Sequence, residues 1–171
     1  GFIFDHNTHN LILSKRIKFD KSLSGEYKYQ LLSEDLREEF LKFVLSNFSR
    51  RWYNENIDCE CRDVVLILRD NVIVAFARIC MKDSKILTNG INNYLRFENQ
   101  GRVLGALGPL GVSKDQRKKG LGKEIVLYGV DELFKRKATD ILVDWTSLVD
   151  FYKKVCFEDI CDLYSQYRYE F

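Results

Sequence analysis

The stretch Gln116-Arg117-Lys118-Lys119-Gly120-Leu121-Gly122 decides how this chain is read. An apolar run at 103–112 precedes it, and an amphipathic pattern at 123–137 follows. Strand, glycine-bearing basic turn and helix together make a cradle for anions. Glycine permits a tight turn that aims successive amides at one point, and the helix N-terminus adds partial positive charge there. Arg117, Lys118 and Lys119 add full charges, so the expected guest is a phosphate or pyrophosphate. Two competing motifs fail on detail. A P-loop requires Lys and then Ser or Thr directly after its last glycine, whereas Lys123 and Glu124 follow Gly122. A dinucleotide fingerprint has a place for Asp144 as its acidic residue, but its first glycine is missing. A solvated basic turn capping a surface helix is the plain alternative.

Working outward, Ile125, Val126, Gly129, Val130 and Leu133 form one helical stripe, with Lys123, Glu124, Asp131 and Lys135 toward water. Residues 140–146 read as a buried strand. Ser147 with Asp150 resembles a capping box for a helix carrying Tyr152, and the Tyr-rich segment 157–171 supplies closing strands. Upstream, 26–32 alternates like a strand, and Ser33 offers an N-cap with Glu34 and Asp35 in the first turn. Leu36, Phe40, Phe43, Val44 and Phe48 recur at helical spacing, and a short second helix is expected at 49–56. The runs 64–68 and 72–79 flank Asp70-Asn71, a tight-hairpin pair. The polar segment 82–101 reads as a long loop and a functional insert. Residues 1–25 read as an approach segment in which 11–13 and 17–19 add edge strands, ahead of a catalytic domain at 26–171. Strands flanked by helices, with hairpins at both ends, make a mixed α/β sheet.

At 171 residues and 46% hydrophobic content, the chain buries about two-thirds of its unfolded surface. A formal net charge of +2 gives no global field for nucleic acid or membrane, and no apolar run approaches the ~20 residues of a membrane span. The basic turn carries few charges and no interleaved aromatics, which speaks against direct nucleic-acid binding. Cys59, Cys61, Cys80, Cys156 and Cys161 follow no disulfide-framework spacing, which favours a reducing compartment, cytoplasmic or nuclear. No second pair or nearby His completes a metal site around Cys59 and Cys61, and Asp5, His6 and His9 read as a solvated cluster, so no metal is expected. Beginning with Gly1 and holding Met81 as its one methionine, the chain reads as part of a longer protein.

Gly120 and Gly122 after a strand and before a helix, then the strand 140–146, then Tyr152 and Phe157 on the next element, resemble the GCN5-related N-acetyltransferase (GNAT) superfamily. The family's late signature is Tyr, three residues, then Gly-Phe; Cys156 stands where glycine is common. The run 107–112 with Asp144-Trp145-Thr146 also resembles the acetyltransferase modules appended to family-three glycoside hydrolases that act on N-acetylglucosamine.

The resemblance implies a mostly antiparallel mixed sheet. Acetyl-CoA lies where two parallel strands, those ending at Val112 and Thr146, splay apart. Main-chain groups of Leu110, Gly111 and Val112 pair with pantetheine, and Gln116, Arg117, Lys118, Lys119, Gly120, Leu121 and Gly122 hold the pyrophosphate. Tyr152 matches the family's general acid for the departing CoA thiolate, and the acceptor amine attacks the thioester directly. The general base is the departure: relatives often carry a glutamate on the central strand, whereas 103–112 holds no carboxylate. Asp144 is the local candidate, equally able to bind a hydroxyl or cap a turn, and a water-mediated base assisted by Glu60 or Asp63 stays open. Trp145 stands where relatives commonly place an Asn that contacts CoA, and an aromatic there walls the cleft instead. Glu55, Asp58, Glu60 and Asp63, with Glu158, Asp159, Asp162, Tyr164, Tyr167 and Tyr169, fit a cationic acceptor such as a protein lysine or histone tail. A small amine or amino sugar is next, and a non-catalytic acyl-CoA-binding module is the alternative class.

Overall fold

The computed structural model describes residues 2–17, 19–20, 26–88, 90–157 and 159–169. The strands are β1 (Phe2–Leu13), β2 (Tyr27–Leu31), β3 (Val64–Arg69), β4 (Val72–Cys80), β5 (Leu104–Val112), β6 (Asp140–Thr146) and β7 (Asp159–Tyr169). The helices are α1 (Arg37–Asn47), α2 (Arg50–Asn56), α3 (Ile91–Glu98), α4 (Leu121–Lys135) and α5 (Val149–Val155). One seven-stranded sheet runs in the order β2-β3-β4-β5-β6-β1-β7. Its neighbours are antiparallel except β5 and β6, which run parallel.

Side-chain alternation along the strands sorts the core into two faces. Val65, Ile67, Ala75, Ala77, Ile79, Leu107, Ile141 and Val143 pack under Ile125, Val126, Val130 and Leu133 of α4. Close approach is required here, because a Cβ on Gly105 would lie 2.9 Å from the Leu133 side chain. On the opposite face, Leu66, Ile73 and Phe76 meet Phe40, Phe43 and Val44 of α1, and Phe48 and Trp52 join them. Further along that face Cys80, Ala106 and Leu142 meet Tyr94 and Phe97 of α3. The β3–β4 hairpin turns at Asp70 and Asn71, both with positive φ (50° and 62°), as a two-residue turn of matching twist demands.

Several sequence expectations change. Residues 11–13 belong to an interior strand, since β1 pairs with both β6 and β7. Ile17 and Phe19 form no strand, and Phe19 packs its ring against Tyr29 and Tyr128 at 5.3 and 5.7 Å. The expected loop at 82–101 contains α3, because Tyr94 and Phe97, three residues apart, share a face that the sheet buries. Glu124 is buried and accepts a hydrogen bond from the Tyr29 hydroxyl at 2.9 Å. Ser33 precedes a 3-10 turn and its hydroxyl makes no cap bond, while Leu148 takes the N-cap position expected of Ser147. Ser49 does cap α2, accepting from the Trp52 amide at 3.2 Å.

Candidate active site

The parallel pair opens because both of its strands are bulged at one level. β5 and β6 pair only from Leu104, Gly105 and Ala106 to Asp140, Ile141 and Leu142. On β5, Gly108 and Pro109 together oppose Arg78 of β4, since Ile79 pairs with Leu107 and Ala77 with Leu110. Pro109 has no N–H to offer a ladder. On β6, Asp144 and Trp145 together oppose Asn10 of β1, since His9 pairs with Thr146 and Leu11 with Val143. Asn10 is buried and clamps this bulge, its Oδ1 accepting from the Trp145 amide at 3.0 Å and its Nδ2 donating to Asp162 at 3.1 Å. Trp145 is held at φ 48°, a strain of about 1–3 kcal/mol for a non-glycine residue. A bulge bends its strand and re-aims side chains. The result is a cleft of about 840 Å³ lined by both bulged segments, by α2, by residues 86–88 and by Phe151 and Tyr152 of α5.

Asp144 and Tyr152 both line this cleft. Burial raises the Asp144 carboxyl from its ordinary 3.8 to about 6, opposed in part by the positive charge of Arg78. Burial, and then the charge of Asp144, pushes the Tyr152 phenol well above its usual range, so it stays protonated at neutral pH. The Tyr152 ring is wedged between Phe151 and Phe157 at 5.0 and 5.7 Å. Trp145 is 64% exposed, lines the cleft and lies 6.1 Å from Tyr164.

The carboxylates proposed as partners of a water-mediated base are not at this site. Glu60 is tied to Arg62 and to the Lys85 amide, and Asp63 is buried against Arg136 at 2.9 Å. Glu55 alone of the acidic residues 55–63 lines the cleft. Asp162 is engaged by Asn10 and Arg96, and Glu158 lies outside the described residues.

The basic turn joins the cleft through α5: a Cβ on Gly122 would lie 3.5 Å from the Phe151 ring. Lys118 and Gly120 adopt positive φ of 63° and 86°, which curls the backbone. Among the described residues, the amides of Arg117, Lys118, Lys119 and Gly120 donate no hydrogen bond, and those of Leu121 and Gly122 open the first turn of α4, where helical partners are lacking. Such a row of unpartnered amides fits a pyrophosphate. Two of the side chains are partly committed: Arg117 donates to the Val112 carbonyl at 3.3 Å, and Lys119 to Gln116 at 3.0 Å. Leu110 lines the cleft. Gly111 lies beneath the Phe48 ring, with 2.3 Å from a would-be Cβ to Cζ, so any side chain there would push that ring aside.

Sequence reasoning missed Arg78 and Asn10. Arg78 had a signal, as the single charged residue in the apolar run 72–79. Asn10 had none, because its partners Trp145 and Asp162 are distant in sequence. No group of His, Cys, Asp or Glu able to hold a metal is found among the described residues. No helix among them is long and apolar enough to cross a membrane.

The fold is thus a mixed α/β sheet whose one parallel pair opens into a cleft beside a glycine-bearing basic turn. The acetyltransferase (GNAT) family profile matches residues 29–156, and the chain belongs to that family of acetyltransferases, which use acetyl-CoA. No curated protein matches the sequence. Among solved structures, the GCN5-related glucosamine N-acetyltransferase region of a fungal multi-domain GH3 β-N-acetylglucosaminidase aligns at a TM-score of 0.79 and 19% identity. That alignment covers 98% of this chain and 21% of the fungal one. A GCN5-related N-acetyltransferase from Sphaerobacter thermophilus aligns at 0.70 and 13% identity, covering 98% of this chain and 52% of that one. An aminoglycoside N-acetyltransferase in complex with CoA aligns at 0.55 and 10% identity, covering 83% and 94%. At these identities the likeness shows the fold, and the chain spans only about a fifth of the fungal protein and half of the bacterial one.

Proposed function

We propose that this chain transfers the acetyl group of acetyl-CoA to the amine of a small molecule held in the β5–β6 cleft. The carrying observation is that Asp144, held near pKa 6, and Tyr152, held neutral, line one opening in the sheet. Acetyl-CoA supplies an activated acetyl group. Unpartnered amides from Arg117 to Gly122 bind its pyrophosphate, and the β5 main chain beyond Ala106, free of β6, offers Leu110, Gly111 and Val112 to the pantetheine arm. Asp144 removes the proton of the acceptor ammonium, and Tyr152 donates one to the departing sulfur. A base near pKa 6 matches an amine of pKa about 8 better than a lysine at about 10.4, whose deprotonation at neutral pH handicaps the rate by roughly 4–5 kcal/mol.

Direct transfer is supported by the cleft lining, which among the described residues includes no cysteine, and by burial, which raises each of the cysteine thiols. The charged lining, Arg51, Glu55, Arg78 and Asp144, is balanced in sign, which supports a compact amine over an extended basic tail. The fungal relative's glucosamine supports an amino sugar as the first candidate.

The test incubates the protein with acetyl-CoA and glucosamine, amino acids or lysine peptides, and follows free CoA and acetylated product by mass spectrometry. Glucosamine or another small amine should be modified fastest. A lysine peptide in first place would replace the acceptor assignment. Acetyl-CoA binding without transfer to any amine would make the chain a binding module.

A further inference from the structure

Arg78 is a buried cation with no carboxylate at ion-pair distance among the described residues, and Asp144 acts on it only from across the cleft. The arginine is 4% exposed on β4, facing the Gly108-Pro109 bulge, and it lines the cleft. Its Nη1 donates to the Glu55 carbonyl, its Nε has no partner, and no carboxylate among the described residues pairs with it. The chain's other inward-turned arginines are treated differently. Arg102 meets Asp140 and Arg136 meets Asp63, although both are more exposed than Arg78. An unpaired buried guanidinium is destabilising, and a ligand anion relieves it. Arg51, the other cation of the cleft, is already bound to Glu55 at 2.7 Å.

Arg78 and Asp144 stand on β4 and β6 with β5 between them, beyond the last β5–β6 pair, and their side chains share one cleft. A small molecule spans that gap with its nitrogen at one end and an anion at the other. We propose that Arg78 anchors a carboxylate or phosphate carried by the acceptor, so that the substrates are amines that also bear an anionic group. This deepens, and rests on, the acetyltransferase assignment above. Guanidinium and carboxylate or phosphate match in a planar, two-point bond, which fixes orientation as well as affinity.

The experiment compares acceptor pairs at saturating acetyl-CoA: glucosamine 6-phosphate against glucosamine, and 4-aminobutyrate against its amide. At least one anionic member should exceed its neutral partner tenfold or more in kcat/KM, and which pair does so identifies the anion. Arg78→Met should collapse that ratio toward one, mainly through KM, and Arg78→Lys should retain part of it, which also covers a methionine variant that fails to fold. Neutral members that equal or beat their anionic partners in both pairs overturn the proposal. So does a ratio that persists in Arg78→Met while both members slow alike, because the arginine then only holds α2 through Glu55. Thermal shifts of the CoA-saturated protein provide a reading independent of turnover. Stabilisation by an anionic member but not its partner, lost in Arg78→Met, supports the anchor even if no acceptor is acetylated; equal shifts sink it.

Discussion

Replacing Asp144 with asparagine is expected to make the protein more stable and less active at once. Burial lifts the folded-state carboxyl from 3.8 to about 6. That difference corresponds to about 3 kcal/mol of penalty on the folded state when the group is ionised. An amide in the same place still buries a polar group, which returns about 1 kcal/mol of it. The net gain of about 2 kcal/mol at pH 7.5 raises the melting temperature of a chain this size by about 4–8 °C. The sign follows from linkage. A carboxyl whose folded pKa is raised favours the folded state below its unfolded value near 3.8, and that contribution is lost as pH rises through about 6. The gap between Asp144→Asn and wild type should therefore be full at pH 7.5 and close by pH 4, read by thermal unfolding at both. Acetyl transfer should fall by about two to four orders of magnitude, as for loss of a general base. In the wild type kcat/KM should decline as pH drops through about 6, with no such limb in the variant. A melting temperature at pH 7.5 equal to or below wild type, or a gap that does not shrink on acidification, refutes the view of Asp144 as a half-buried, charge-penalised base.

Tyr152→Phe keeps the ring between Phe151 and Phe157 and removes only the hydroxyl, so turnover should fall about a hundredfold with acetyl-CoA affinity within about twofold; unchanged turnover removes Tyr152 from the mechanism. Gly120→Glu places a side chain at φ 86° and a negative charge at the turn, at a cost of about 1–2 kcal/mol in backbone strain. The rise in melting temperature that acetyl-CoA gives the wild type should vanish in this variant, and a rise that persists puts the pyrophosphate elsewhere.

Much of the frame is visible along the chain because it is written in local patterns. The α4 stripe of Ile125, Val126, Val130 and Leu133 is a period that only a helix buries on one side. Asp70-Asn71 tolerates positive φ, so the β3–β4 hairpin follows from two residues. Local patterns also misled. Segment 82–101 looks polar because six of the eight residues of α3 lie outside the core, and only Tyr94 and Phe97 show that the sheet wants it helical. Glu124 falls on the water-facing side of the helical pattern, but Phe19, Tyr29 and Tyr128 close over that side and Tyr29 supplies the hydrogen bond.

The sequence by itself determined the strand, basic turn and helix around Gly120 and the hairpin, while the resemblance singled out Tyr152 and, for want of a carboxylate on the central strand, Asp144. Those local elements depend on neighbours within a few residues, where backbone sterics and side-chain period are decisive. The resemblance implied that the strands ending at Val112 and Thr146 part company; only the tertiary structure showed how, with Arg78 set against Gly108-Pro109 and Asn10 set against Asp144-Trp145 across separate strands. It also decided that Asp144 is buried enough to hold its proton to about pH 6, since desolvation is imposed by packing from remote elements and leaves no mark in local sequence.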